Sequence, residues 1–322
     1  MRLATLRNGR PDGQLVAVSQ DGARCLPLAD GTLLGAVEQW AITAPRLGEL
    51  ADRLESGEGD PLDPALLMAP LPRTWQWLDG SAYPQHGELM QRAFGLPPID
   101  SERPLMYQGL SDRFYGPNDP IPFPSEDDGI DFEGEFGVIV DAVRMGTSAA
   151  EALDHIRLIV QINDWSLRTI APIEMKTGFG WVQAKPPCSM APFAVTPDML
   201  GKNWRDGRVH GRLASWIDGE RFGDVPSGPE MAFGFHELIA HAARTRDLVA
   251  GTVIGSGTVS SRDYASVGSS CLSERRAIDV IEARQPTPFL HFGQQVKMTG
   301  IVSDTMPFGI IEQVVMATGA AA

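Results

Sequence analysis

Ile130-Asp131-Phe132-Glu133-Gly134-Glu135-Phe136-Gly137-Val138-Ile139-Val140 is the stretch on which the reading of this chain turns. The apolar run 136–140 has the composition of a strand entering a core. On a strand, residues two apart point to the same face, so Glu133 and Glu135 stand side by side at its mouth. Two adjacent carboxylates repel each other and are costly to bury. A hard divalent cation with oxygen ligands is the simplest partner that would hold them there.

Outward from this strand, β-type segments dominate: 156–165, 177–186, 208–217, 251–259, 275–283, 295–303 and 308–316. Helical patterns are few after residue 70, at Ser148–Asp154 and within Met231–Arg246. Such a stretch without βαβ alternation predicts an α+β, β-rich fold, a mixed sheet sandwich or roll rather than a doubly wound sheet. Ahead of it, short strands are expected at Leu3–Leu6, Leu15–Ser19 and Ala23–Leu28, then a helical stretch over about 32–56. Pro61, Pro64, Pro70 and Pro72 mark a linker, so a small β-containing N-terminal domain, 1–70, is expected before a larger one, 71–322.

The 322 residues can bury a large core, and 43% apolar with 21% charged residues is globular composition. With 27 Lys plus Arg against 41 Asp plus Glu and no basic cluster, nucleic acid is not an expected partner. Cys25, Cys188 and Cys271 are far apart and lack Cys-x-x-Cys spacing, which argues against a disulfide framework or a zinc cluster and suits a reducing compartment. The N-terminus lacks the apolar run of a signal peptide, and no segment approaches membrane length. A cytoplasmic protein without a membrane partner is therefore expected.

Several polar residues sit where a strand or turn would have to hold them. Asp164 ends the apolar strand Leu158–Ile162 within Asn163-Asp164-Trp165-Ser166, and Arg168 is a candidate ion-pair partner. Lys185 lies in the β-type segment Trp181–Lys185 before Pro186-Pro187. Asp79 and His86 share a loop, and a His near carboxylates is the usual general base. Gly255-Ser256-Gly257-Thr258 is a Gly-rich turn without the Lys of a phosphate loop, and no Gly-x-Ser-x-Gly elbow is present.

Taken in order, Asp79…His86, Tyr107-Gln108-Gly109, Glu133-x-Glu135, Asn163-Asp164-Trp165-Ser166-x-Arg168, Lys185, Gly257-Thr258-Val259-Ser260 and Glu274 resemble the fumarylacetoacetate hydrolase family over about 77–316. The resemblance implies that family's mixed β-sandwich, with the first 70 residues as its small accessory domain. It implies a metal site of Glu133, Glu135, Asp164 and Asp79, for which Mg²⁺ is the expected ion and Ca²⁺ or Mn²⁺ the alternatives. It also implies His86 as the catalytic base, paired with Glu274, Lys185 and Arg168 as the catalytic cations that stabilise the oxyanion, and Arg168, Lys185, Tyr107 and Thr258 as substrate contacts. Glu88, two residues beyond His86, competes with Glu274 because some relatives take their catalytic Glu from that position. Where the hydrolase has a substrate-contacting Gln three residues after the Arg, this chain has Ala171.

The implied substrate is a small 1,3-dicarbonyl acid, a fumarylacetoacetate or acylpyruvate, cleaved at a carbon–carbon bond. Decarboxylation, hydration or isomerisation of a 2-keto acid is the competing chemistry of the same family. A non-catalytic metal-binding protein would need the carboxylates but not His86 or Lys185. The resemblance further implies a homodimer, for which the Pro- and aromatic-rich segment Phe114–Phe123 offers an apolar patch.

Overall fold

The strand Gly134–Val140 is buried at all seven positions, which is why it reads as a continuous apolar run rather than an alternating one. In the computed structural model, which describes residues 1–95, 97 and 102–319, this strand lies in the middle of an eleven-stranded sheet. Ile156–Asn163 pairs with it antiparallel on one side and Val253–Gly255 on the other. Beyond Val253–Gly255 come Trp77–Gly80, parallel to it, and then Met106–Gly109. In the other direction Ile156–Asn163 leads through Ala194–Val195 to the N-terminal strands Arg2–Leu6, Gln14–Val18 and Arg24–Pro27. The N-terminal hairpins thus extend the central sheet.

A second, five-stranded sheet runs in the order Glu220–Pro226, Arg212–Ile217, Gln295–Ile301, Ile311–Ala317 and Ile121–Phe123. It packs face to face on the first, the arrangement expected for a mixed sandwich. The fit is tight at two glycines. A Cβ on Gly134 would collide with Leu213, and one on Gly300 would lie 2.7 Å from the Phe136 ring. The buried Gln161 side chain crosses the gap, accepting a hydrogen bond from the Gly300 amide at 2.7 Å.

The stretch 32–56 forms two helices, Leu33–Glu38 and Trp40–Glu55. The helical turn Ala149–Ala152 carries a capping box from Ser148 and Glu151, and Phe235–Ala242 is helical as its pattern predicts. Two expected strands are corrected. Residues 275–283 belong instead to the helix Leu272–Ile281, whose Ala277 and Ile278 pack on Leu89 of the helix Pro84–Phe94. Residues 177–186 form an irregular loop after the short helix Ala171–Met175, pinned because the Glu174 carboxylate accepts from the amides of Val182, Gln183 and Ala184 at 3.0–3.1 Å. The apolar patch expected from Phe114–Phe123 is also corrected. Phe114, Tyr115, Ile121 and Phe123 are all buried in the chain's own core.

Candidate active site

The ends of four strands converge on one buried polar cluster. Asp79 lies on Trp77–Gly80, opposite Tyr107 of Met106–Gly109 in the ladder and opposite Gly255 on its other side. Gly255 is required there, because a Cβ would strike both the Trp77 ring and the Asp79 carboxylate. Gly257, with φ of 73°, turns its amide onto Asp79 Oδ1 at 3.0 Å. Glu135 sits in register with Ile162, and Asp164 follows the end of that neighbouring strand. The Asn163 side-chain carbonyl accepts from the Glu133 amide at 3.0 Å, fixing the mouth of the central strand.

Asp79, Glu135 and Asp164 are all buried, and each offers an oxygen within 4.8 Å of the others. Among the described residues no donor reaches either buried oxygen of Glu135, whose carboxyl faces Asp79. Burial first, and then repulsion from Asp164, pushes the Asp79 carboxyl well above the usual carboxylate range. Glu135 is pushed up in the same way by burial and by Asp79 and Asp164, and burial also raises Asp164. An orphaned carboxylate beside two others is a hard-oxygen donor set with unused lone pairs, and it fits a divalent cation.

Glu133 stands beside this trio and faces two cations. Lys185 Nζ donates to Glu133 Oε2 at 2.5 Å and to Asp164 Oδ2 at 2.6 Å, while Arg168 Nη2 donates to Glu133 Oε1 at 2.6 Å. Burial alone would raise Glu133, but Arg168 and Lys185 override it and hold the carboxyl below its ordinary range. Burial likewise opposes the Lys185 charge, and Asp164 and Glu133 reverse the effect and keep it protonated. The Tyr107 hydroxyl donates to Asp164 Oδ2 at 2.5 Å, and the Cys188 thiol to its Oδ1 at 3.0 Å. The Lys185 ammonium also lies over the rings of Tyr107 and Trp181, 5.4 and 5.6 Å from their centres.

His86 enters from the first turn of Pro84–Phe94, with Nδ1 buried, unpartnered and 3.8 Å from Glu274 Oε1. Glu274 is held in the first turn of Leu272–Ile281 by the hydroxyls of Ser260 and Ser269. Ser260 also joins the two helices, since its carbonyl accepts from the Gln85 side chain at 2.6 Å. Glu88 points elsewhere and makes a bidentate pair with Arg262, both contacts 2.9 Å. Thr258 is buried in the segment after Gly255, and among the described residues no hydrogen bond links its hydroxyl to the cluster. Ala171 starts the short helix near Arg168 and has no side-chain polar atom to offer.

The sequence reading missed Asp131, Cys188 and Ser269, and it gave no role to Ser260 within the motif Gly257–Ser260. Asp131 accepts from Arg168 Nε at 2.7 Å and from the amides of Leu272 and Ser273 at 2.7 and 2.9 Å. It therefore fixes both the arginine and the start of the helix that carries Glu274. Its signal was present, because 131, 133 and 135 share one alternation.

The fumarylacetoacetate (FAA) hydrolase C-terminal profile matches residues 76–316, and the fumarylacetoacetase N-terminal domain 2 profile matches 1–73. A 2,4-didehydro-3-deoxy-L-rhamnonate hydrolase from Sphingomonas sp. is 28% identical over 164 residues, covering 50% of this chain and 54% of that protein. A mitochondrial oxaloacetate tautomerase of Xenopus laevis is 26% identical over 172 residues, 50% of this chain and 49% of that one. The chain thus spans about half the length of the curated relatives it matches. Maleylpyruvate hydrolase from Sphingobium sp. SYK-6, solved with manganese(II) ion and pyruvate, superposes with a TM-score of 0.66 at 14% identity, covering 98% of this chain and 99% of that one. A 5-carboxymethyl-2-hydroxymuconate delta-isomerase from Mycobacterium smegmatis gives 0.62 at 18% identity, covering 99% and 100%. At these identities the solved structures establish the fold.

Proposed function

Because the chain belongs to the fumarylacetoacetate hydrolase family, we propose that it hydrolyses a carbon–carbon bond in a 1,3-dicarbonyl acid of the fumarylacetoacetate or acylpyruvate type. The reading is carried by one observation: three buried carboxylates converge around the unsatisfied oxygens of Glu135, next to the His86–Glu274 pair. Asp79, Glu135 and Asp164 would hold a divalent cation, with Glu133 beside them. Mg²⁺ is the proposed ion, and the manganese in the maleylpyruvate hydrolase structure supports a cation of this charge and hardness. When bound, such a cation would act as a Lewis acid on a substrate carbonyl.

The chain's own groups supply the rest. Glu274 stands 3.8 Å from His86 Nδ1 and would orient the ring once that gap closes to a hydrogen bond, which leaves the other ring nitrogen to take a proton from water. The water oxygen bonds to the carbonyl carbon as that proton leaves. Lys185, buried and protonated, stabilises the oxyanion that develops there, with Arg168 holding Glu133 in place behind it. The carbon–carbon bond then breaks, its electron pair leaving as an enolate that His86 reprotonates. Tyr107 and Trp181 meet edge to face at 4.7 Å beside the Lys185 ammonium.

A second reading is decarboxylation, hydration or isomerisation of a 2-keto acid, of which isomerisation is favoured by the tautomerase and isomerase among the similar proteins. It uses the same enolate without adding water. The test is a panel of acylpyruvates, fumarylacetoacetate and oxaloacetate, assayed with Mg²⁺ or Mn²⁺ and with chelator. Cation-dependent release of two carboxylic products from a diketo acid is expected. Tautomer interconversion or CO₂ release alone would overturn the hydrolytic assignment.

A further inference from the structure

A second set of donors lies beside the carboxylate trio and differs from it in chemistry. Ligand atoms of His86, Cys271 and Glu274 all lie within 4.8 Å of one another. Cys271 and Glu274 are buried, and the buried Nδ1 of His86 has no hydrogen-bond partner. Two ligands of one tetrahedral Zn²⁺ stand about 3.3 Å apart when both are nitrogen or oxygen and about 3.5 Å when one is sulfur, given bonds of roughly 2.0 and 2.3 Å. The His86–Glu274 separation of 3.8 Å lies about half an ångström outside the spacing of a nitrogen–oxygen pair, a gap that a small side-chain rotation closes.

We propose that His86, Cys271 and Glu274 form a second cation site that takes thiophilic ions of the Zn²⁺ class. Imidazole and thiolate select Zn²⁺ over Mg²⁺, Ca²⁺ or Mn²⁺, whereas the all-oxygen trio selects the hard ions. The two adjoining centres thus sort cations by hardness. Three protein ligands leave a fourth position for water, the open form of zinc coordination. The surroundings favour a bound cation. Ser260 and Ser269 donate to the Glu274 carboxylate and fix its orientation, as outer-shell partners of metal ligands do. Cys271 is the N-cap of the ten-residue helix Leu272–Ile281, where its Sγ accepts from the Glu274 amide at 3.3 Å. Burial, and then the Asp131 and Glu274 carboxylates, push the Cys271 thiol well above its usual range, so its proton leaves only as a soft cation takes its place. As the Zn–S bond forms, the thiol proton passes to solvent, and no redox partner is required.

One consequence rests on the proposed role of His86: an ion held at that ring withdraws the base, so Zn²⁺ inhibits even when Mg²⁺ saturates the carboxylate centre. The site itself is tested without turnover. The full-length protein in saturating Mg²⁺ is titrated with Co²⁺ and followed in the near ultraviolet, where thiolate-to-cobalt charge transfer absorbs, and Zn²⁺ is then added to displace the signal. The expected band is present in wild type and in Glu135→Gln and Cys188→Ser, and absent in Cys271→Ser. Serine keeps the helix cap while removing the soft ligand. Zn²⁺ affinity should fall in Cys271→Ser by at least the roughly 10–100-fold known for outer-shell partners. His86→Gln provides a second variant with the same expected direction should Cys271→Ser not fold. No band in wild type, a band that survives Cys271→Ser, or one lost in Glu135→Gln or Cys188→Ser would overturn the site. Zn²⁺ that binds through Cys271 without slowing turnover supports the site and removes His86 as the base.

Discussion

His86 has no place among the three carboxylates that converge on the cation position, so its loss should separate chemistry from binding. His86→Ala is expected to lower kcat by about 10²–10⁴ while Mn²⁺ affinity, read by calorimetry, stays near wild type. Unchanged turnover would remove the proposed base. The carboxylates predict a pH effect of definite sign. Asp79, Glu135 and Asp164 are raised by burial and mutual repulsion, so without a cation the folded chain binds more protons than the unfolded one. Their contribution to stability therefore falls as pH rises out of the carboxylate range, above about 4. Glu133, held low by Arg168 and Lys185, contributes with the opposite sign. A cation relieves the repulsion and competes with protons, so the gain in Tm on adding Mn²⁺ should be small near about pH 5 and larger near about pH 8. Equal gains at both would contradict the assignment. At this scale the sequence is legible where a residue type is improbable in its setting, as with Glu133, Glu135 and Asp164 on apolar strands. It is silent on Ser260 and Ser269, whose value lies only in what stands opposite them.

Elements show where pattern reading fails and why. In Arg275–Ile281 the alternation of Ile278 and Val280 imitates a strand, but Ala277 and Ile278 form a helical face against Leu89. The decisive evidence for that helix is at its start and comes from far away in sequence, where Asp131 receives the amides of Leu272 and Ser273. Similarly, Trp181–Lys185 has strand composition, yet Glu174 takes the amides of Val182, Gln183 and Ala184 that a ladder would use. The central strands, by contrast, are legible because a doubly covered strand needs an unbroken apolar run. Asp131→Asn tests the helix anchor. Losing the charge that holds Arg168 and two helix amides should cost about 2–4 kcal/mol in denaturant unfolding. It should also lower kcat more than Mn²⁺ affinity, because Glu274 moves with the helix. Wild-type stability would show that the helix start is held by other means.

For the whole molecule, we propose a homodimer on different ground from the patch read in the sequence. The aromatics of Phe114–Phe123 are buried, but Ile173 and Met175 on the helix Ala171–Met175 and Phe179 and Val182 on the loop that follows it are exposed, Phe179 by 98%. Apolar side chains so exposed call for a covering surface, and a second copy is the expected one. Light scattering at micromolar concentration should give twice 34.9 kDa, and Phe179→Asp should shift the mass toward a single chain. A single-chain mass for the wild type at every concentration would rule the dimer out. The order of the central sheet has a further consequence, one for biosynthesis. Gly134–Val140 leaves the ribosome soon followed by Ile156–Asn163, but its other neighbour, Val253–Gly255, is made only much later. Until then the nascent chain carries an apolar strand with an open edge, a template for pairing with other copies. A fragment that stops before Val253 should therefore collect in the insoluble fraction on expression, and a soluble, monodisperse one would contradict this. The cell that makes this protein must shelter that edge for as long as the missing strand is still being translated.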